Sequence, residues 1–579
     1  MTAAPSSLSA ATHAKSKRRL RTWQLVVLWL VCMAPLRLWG LPSSADDVLL
    51  FGGQPPWPPE RYGSAAAARE RRARAAGADV DLNPIEVRDR VVDLTGDERA
   101  RGEILTRYRL YSRQPDEMIT FMALQRMDPR RLDLDPRLYQ YCGGYIYLIG
   151  AAVGIGSLVG VTTVTSDIDV YLAQPELFAR FYLVGRGVTL VFGAALLVAA
   201  VHLARRAAGR TAGWIAFVLV AASPVFITGV LEAKPHLPSV CLLLWATLAA
   251  LEYLAGGARR DALRMGLLAG GAFSLVLTGL VAAILWPVLL VARKPLTRRA
   301  AVDMLLAALG AIGVYLVTNP YVPYNALFNR AALQSNLANS TAMYRVGELA
   351  GGALRVGELL IESVGLAVPI VGLLALAWLA RRYPRQAATS AAMGVVVLLL
   401  GAAIGAGKPA EFARFLLLPV VLLCVAAAAA VARLGFRRPL AALVLAVLVL
   451  AVMKTPAYIR SFATEARGEH ESRHTAARFI HDYVPVDEPI GVVQVPAPYA
   501  VPPIDFAHRT VLLLPPTPPA GDDSTLPRRL VLTADDATVH QTAWWQARYE
   551  LQRQFPEPTT VLSRIAWASK PVFVYRLRE

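Results

Sequence analysis

A polytopic α-helical membrane protein with a soluble α/β domain at its C-terminus is the fold class this chain predicts, on three observations. Apolar runs recur from Trp23 to Tyr458, and 55% of the 579 residues are hydrophobic, the composition of a chain that crosses a bilayer repeatedly. The formal net charge of +18 comes from Lys and Arg gathered in short clusters between those runs. That is how a membrane protein marks its cytoplasmic loops, and it argues against nucleic acid as a partner. Residues 459–579 then change character, with short apolar runs and frequent turn residues. The four cysteines, Cys32, Cys142, Cys241 and Cys424, have no metal-ligand spacing and read as packing residues without a disulfide framework.

Residues 1–21 are polar and end in a basic cluster, Lys15 to Arg21, so they read as a cytoplasmic tail. The apolar stretch 23–41 is read as an uncleaved first span, because bulky residues and Arg37 follow it where a signal peptide would place small ones. A long hydrophilic segment, 42–142, comes next. It opens with Asp46-Asp47, passes through a Pro/Gly-rich loop and an Ala/Arg-rich helix over 65–76, and ends in a short amphipathic helix over 118–127. Loops longer than about 60 residues translocate largely regardless of charge, so this segment is placed outside.

Apolar runs then cover 143–165, 181–204, 211–230, 239–255, 265–292, 301–317, 364–380, 389–405, 415–434 and 440–458. Together with the first span they form a transmembrane domain over 22–458, with roughly 11–13 crossings at about 20 residues each. Basic clusters at 205–206, 259–260, 293–299, 381–385 and 437–438 are assigned inside. The short loops 231–238 and 407–414 and the longer 319–363 then face outside with the C-terminal domain. Parity makes two demands. The run 265–292 has basic loops at both ends and must go in and come back, with Thr278-Gly279 at the bend. The Gly-rich run 143–165 is either re-entrant or accompanied by a hidden crossing. In 459–579, strands are expected at 490–495 and 511–514, helices at 474–483 and 544–555, and Pro-rich connections at 495–503 and 514–519.

Candidate functional residues collect on the outside face. Tyr111-Ser-Arg-Gln-Pro-Asp-Glu-Met118 places Asp116 and Glu117 at the water end of the hydrophilic loop, against a membrane. The same spacing suits a helix N-terminus, where carboxylates are favoured. Glu232, Lys234 and His236 alternate in the turn between two spans, so an extended turn aims all three one way, toward a metal or a phosphate. Lys408 and Arg414 flank the start of a span and suit a lipid-carrier phosphate, Arg through bidentate bonds. Asn319 and Tyr321 lie where Pro320 ends a helix and suit contact with a sugar.

The order of these motifs resembles the GT-C superfamily of polytopic glycosyltransferases, nearest its protein-mannosyltransferase and aminoarabinose-transferase branch. The resemblance covers about residues 20–458. It rests on one span, then Pro115-Asp116-Glu117 with a short amphipathic helix, then Ser223-Pro224 before a charged turn, Asn319-Pro320-Tyr321, and Arg414-Phe415 opening a span that contains Leu-Leu-Pro419. It implies an enzyme of the cytoplasmic (inner) membrane that moves a hexosyl or pentosyl unit from a polyprenyl-phosphate donor, with inversion, to a lipid, glycan or protein acceptor outside the cytoplasm. Asp116 would act as general base, and Glu117 would orient the acceptor or help hold a divalent ion, Mg or Mn. Lys234, His236, Lys408 and Arg414 would stabilise the leaving phosphate. Two features depart from the family pattern: residues 42–115 separate the first span from the acidic motif, and Asp46-Asp47 offers a rival acidic pair. The alternatives are a transporter or flippase for a lipid-linked sugar, which would place ionisable residues mid-span, and a non-catalytic assembly protein that binds a partner through 459–579.

Overall fold

The computed structural model describes residues 23–62, 91–293, 297–341, 344–405, 408, 410–435, 439–453, 455–468, 471–515, 526–533, 542–556 and 565–578. The N-terminal tail and the helix expected over 65–76 lie outside the described residues. Two large cores and a small one around Leu530, Trp545 and Tyr549 organise the remainder. One belongs to the apolar helices, from Val26 and Trp29 through Leu197, Leu244 and Met265 to Val421 and Val431. The other joins Leu50, Leu105, Tyr108 and Phe121 of the long hydrophilic segment to Ile480, Ile504, Phe506 and Val511 of the C-terminal region.

The second core is backed by a six-stranded sheet of order β1-β3-β2-β4-β6-β5. Its strands are β1 Val92–Asp93, β2 Ile490–Val492, β3 Val511–Leu513, β4 Arg529–Thr533, β5 Tyr549–Phe555 and β6 Val572–Leu577. Strand β2 runs parallel to β3 and β4, and the other pairings are antiparallel. Since β1 comes from the hydrophilic loop and β3 from the C-terminal region, the two hydrophilic segments fold as one body on one side of the apolar helices. The expected helix over 474–483 is present as Ser472–Tyr483. The expected helix over 544–555 is not: only Ala543–Arg548 is helical, and Tyr549–Phe555 pairs with β6. Glu, Leu, Gln and Arg favour a helix locally, but pairing with an available sheet edge overrides so weak a preference.

Among the described residues, five helices are long and apolar enough to cross a membrane: Pro175–Ala221, His236–Gly256, Arg298–Thr318, Pro384–Gly405 and Glu411–Leu434. A sixth is formed if Val346–Val364 and Ala367–Arg382, bent by 109°, make one span. The 11–13 runs read from sequence include pieces that fold as shorter or broken helices. The 47-residue helix Pro175–Ala221 breaks at Ala208-Gly209, where Gly209 takes a positive φ of 81° that an L side chain resists. The run 265–292 is broken near the expected bend. Helix Arg259–Leu275 ends at extended Val276, and Leu277–Ile284 folds against it, with Gly279 seated on the Ala272 carbonyl. Helix Gly143–Leu158 has Tyr145, Ile149 and Val153 in the second core.

Close helix contact rests on glycine. A Cβ on Gly266 or Gly270 would fall inside contact distance of the carbonyl oxygens of Ala307 and Ala311, so Arg259–Leu275 and Arg298–Thr318 meet backbone to backbone through a small-xxx-small stripe. Gly266→Leu is expected to destabilise the protein by about 1–3 kcal/mol through overpacking. Thermal unfolding of the detergent-solubilised protein measures it.

Candidate active site

The acidic motif opens helix Pro115–Arg126. Pro115 occupies the first turn, and the cap is the Gln114 side chain, which accepts from Asp116 N at 2.6 Å. The two carboxylates are therefore free of capping duty, and they diverge. Glu117 points inward and is fully buried. It takes a two-pronged pair from Arg186, Nε at 2.8 Å and Nη2 at 2.7 Å, together with Ala233 N at 2.7 Å and Ser112 Oγ at 2.6 Å. Arg186 also donates to the carbonyls of Arg37 and Trp39 at 2.6 Å each. This knot ties the first helix, the acidic helix, the helix from Pro175 and the turn at Ala233 to one another.

Asp116 points the other way. Its Oδ2 lies 2.9 Å from Lys234 Nζ and 3.3 Å from Arg414 Nη2, and 23% of its side chain stays exposed. Burial opposes ionisation here, yet Lys234 and Arg414 overcome it and hold the carboxyl well below the usual range. Lys234 also pairs with Glu232 Oε2 at 3.3 Å. Burial pushes the Glu232 carboxyl up against the pull of Lys234. The alternation read from sequence holds: Glu232, Lys234 and His236 line one cavity of about 450 Å³ with Glu411, Arg414, Ile565 and Trp567.

A second, mainly apolar cavity of about 720 Å³ adjoins it, walled by Val240, Leu243, Val356, Leu359, Val397 and Leu418 among others. His236 and Arg414 belong to both. Arg414 is held over the rings of Phe412 and Phe415 at 5.0 and 5.2 Å, and His236 meets Phe415 edge to face at 4.9 Å. Arg414 therefore stands at the joint between the chamber that holds the charged side chains, the polar one, and a greasy one.

The remaining candidates sit elsewhere. Asp46 binds His474 at 2.6 Å within a buried ionic cluster containing Arg113, Glu465, Glu471 and Arg473, and Asp47 pairs with Arg109. Both fasten the first helix's exit to the hydrophilic body. Asn319 Oδ1 accepts from Gly143 N at 2.6 Å, and Tyr321 Oη bridges Leu134 N and Leu132 O; these are splints between helix ends. Lys408 lies 5.3 Å over Phe412 and lines neither cavity. Sequence reading missed Arg186, although a lone cation within an apolar run is itself a signal. It also missed Ile565, Trp567 and Lys570, which carry no motif.

Among the described residues, no group of three or more His, Cys, Asp or Glu gathers closely enough to hold a metal ion. Asp116 already faces two cations, so a divalent ion would have to displace one of them. This donor set does not fit the expected Mg or Mn.

The elements define a polytopic helical membrane protein with a charged chamber between its apolar helices and its hydrophilic body. Among solved structures it is similar to apo ArnT from Cupriavidus metallidurans (12% identity, 81% of this chain and 93% of that one, TM-score 0.38). It is also similar to the arabinofuranosyltransferase AftD from Mycobacteria (15%, 74% and 35%, 0.34) and to the Archaeoglobus fulgidus oligosaccharyltransferase (12%, 84% and 71%, 0.37). No family model and no curated protein matches the chain.

Proposed function

We propose that this chain is a glycosyltransferase that moves a sugar from a polyprenyl-phosphate carrier to a lipid, glycan or protein acceptor at the outer face of the cytoplasmic membrane. The observation that carries the reading is the position of Arg414 and Lys234. Arg414 belongs to both chambers, and Lys234 stands beside it on Asp116. An isoprenoid tail in the apolar chamber would bring its phosphate to these cations, and the sugar would project into the polar one.

The chemistry follows from that placement. The acceptor oxygen attacks the anomeric carbon and its proton passes to Asp116. The bond from that carbon to the phosphate oxygen breaks, and the lipid phosphate leaves with charge stabilised by Lys234 and Arg414. A single displacement inverts the centre. Asp116 is a weak base while both cations hold it. When the donor phosphate draws Lys234 and Arg414 toward itself, that restraint loosens and the carboxylate becomes basic at the moment it is needed.

This sets the sign of the pH dependence. A depressed carboxyl loses its charge only as pH falls through its lowered value, so the acid limb of kcat/KM lies below about 3.9, the ordinary value for Asp. In the donor complex the carboxyl rises, so the acid limb of kcat lies at higher pH than that of kcat/KM. The assay is transfer by the purified protein from a panel of polyprenyl-phosphate sugars, with and without EDTA. Movement of lipid or solute across vesicles without transfer would overturn the reading in favour of a transporter, and coincident limbs would remove Asp116 as the base.

A further inference from the structure

The polar chamber is closed by a piece of the C-terminal domain. Ile565 and Trp567 line it beside Glu232 and Arg414. Trp567 is fixed from two directions: the Lys570 ammonium lies 3.3 Å from the centre of its ring and reaches Glu411 at 3.6 Å, and Tyr499 meets it edge to face at 5.9 Å. Trp567 and Glu232 are 8% and 3% exposed. Among the described residues, indole Nε1 of Trp567 has no hydrogen-bond partner, and neither has Oε1 of Glu232, although Oε2 of the same carboxylate takes Lys234 and Gln114.

An unpaired buried donor or acceptor forfeits the hydrogen bonds it had in water, and native folds leave few of them. Here two donors, Trp567 Nε1 and Arg414 Nε, and one acceptor, Glu232 Oε1, belong to side chains that line the same chamber. A donor N–H and a carboxylate oxygen together suit hydroxyl groups, which both give and accept hydrogen bonds.

We propose that the segment 565–570 completes a sugar-binding subsite, in which Trp567 Nε1 donates to, and Glu232 Oε1 accepts from, hydroxyls of one sugar ring. The subsite rests on the glycosyl-transfer reading and extends it. It assigns the C-terminal domain a direct part in choosing the sugar, through contacts that belong to the ring and not to the lipid phosphate. The ring comes either from the donor or from the acceptor, and the chemistry is the same.

The test uses the full chain in lipid nanodiscs. Saturation-transfer NMR reads binding of methyl α-D-mannopyranoside and methyl β-D-arabinofuranoside, and a parallel titration reads decaprenyl phosphate. Wild type is expected to bind at least one glycoside. Trp567→Phe keeps a ring beneath Lys570 and removes the N–H, so it should weaken that glycoside about tenfold while decaprenyl phosphate binds as in wild type. Glu232→Gln should weaken the glycoside as well. Absence of glycoside binding by wild type, unchanged binding by Trp567→Phe, or joint loss of glycoside and decaprenyl phosphate in Trp567→Phe would each overturn the subsite. Glycoside binding without any decaprenyl phosphate binding would overturn the lipid-carrier reading and leave the subsite standing. Displacement of the glycoside by decaprenyl-phosphate-linked mannose, and not by decaprenyl phosphate, supports the subsite and assigns it to the donor sugar. Retention of the glycoside in the presence of both supports it and assigns it to the acceptor. Displacement by decaprenyl phosphate alone puts the lipid phosphate in the chamber and overturns the proposal.

Discussion

Glu117→Ala is expected to lower stability by about 3–5 kcal/mol, the cost of stranding a buried charge, and to yield protein that unfolds early in detergent. The physical reason is the company Glu117 keeps. Its two oxygens accept from Arg186, Ser112 and the Ala233 amide, and neither partner of the ion pair touches water. Removing the carboxylate leaves the Arg186 guanidinium buried with the carbonyls of Arg37 and Trp39 and the Trp39 ring to face, and no anion. A second variant separates charge from packing. Glu117→Met combined with Arg186→Met removes both ions, and replacing a buried pair with apolar side chains of similar volume is often close to neutral. The double variant should therefore recover part of the loss, and only part, because the Ala233 amide and the two carbonyls lose their partners as well. Thermal unfolding of the wild type, Glu117→Met, Arg186→Met and the double variant measures the coupling. Additive losses would show that the pair is not the source of the stability.

Residues 115–117 show how far the sequence could be read. Adjacent carboxylates after a proline, at the edge of an apolar region, mark a place where chemistry or capping happens. The spacing does not say which side chain turns inward. That choice depends on Arg186, which comes seventy positions later in an otherwise apolar run, and on an amide from the turn at Ala233. The charged turn was more legible. Alternation alone places Glu232, Lys234 and His236 on one wall, and the chamber has all three. A break within 265–292 was legible from charge at both ends of an apolar run too short for two spans, and the helix does end at Val276. Asp46-Asp47 was ambiguous for the opposite reason. An exposed acidic pair and one locked by His474 and Arg109 look identical in sequence, and their partners lie in other elements. Trp567 was beyond reach: nothing local distinguishes a tryptophan that packs from one that lines a cavity.

Lys234→Met should cut transfer about 10²–10³-fold, the usual effect of deleting one group that stabilises developing negative charge in a water-poor site. Lys234 stands between two carboxylates, Asp116 at 2.9 Å and Glu232 at 3.3 Å, and is 4% exposed. Its charge is therefore held at the site in advance, and it turns from Asp116 toward the phosphate oxygens when the donor arrives. Methionine keeps most of the volume and removes the charge, so the loss belongs to electrostatics. Two consequences follow that a packing defect would not produce. Affinity for decaprenyl phosphate should fall together with transfer, because the cation meets the phosphate before and after the bond breaks. With Arg414 as its sole remaining cation, Asp116 should also titrate at higher pH, moving the acid limb of kcat/KM upward. Arg414→Lys provides the control. It keeps a charge at the joint of the two chambers but gives up the planar fork that grips phosphate oxygens, so its loss should be smaller and its acid limb nearer to that of wild type. A Lys234→Met protein that binds decaprenyl phosphate normally and transfers sugar at the wild-type rate would remove the cation pair from the mechanism.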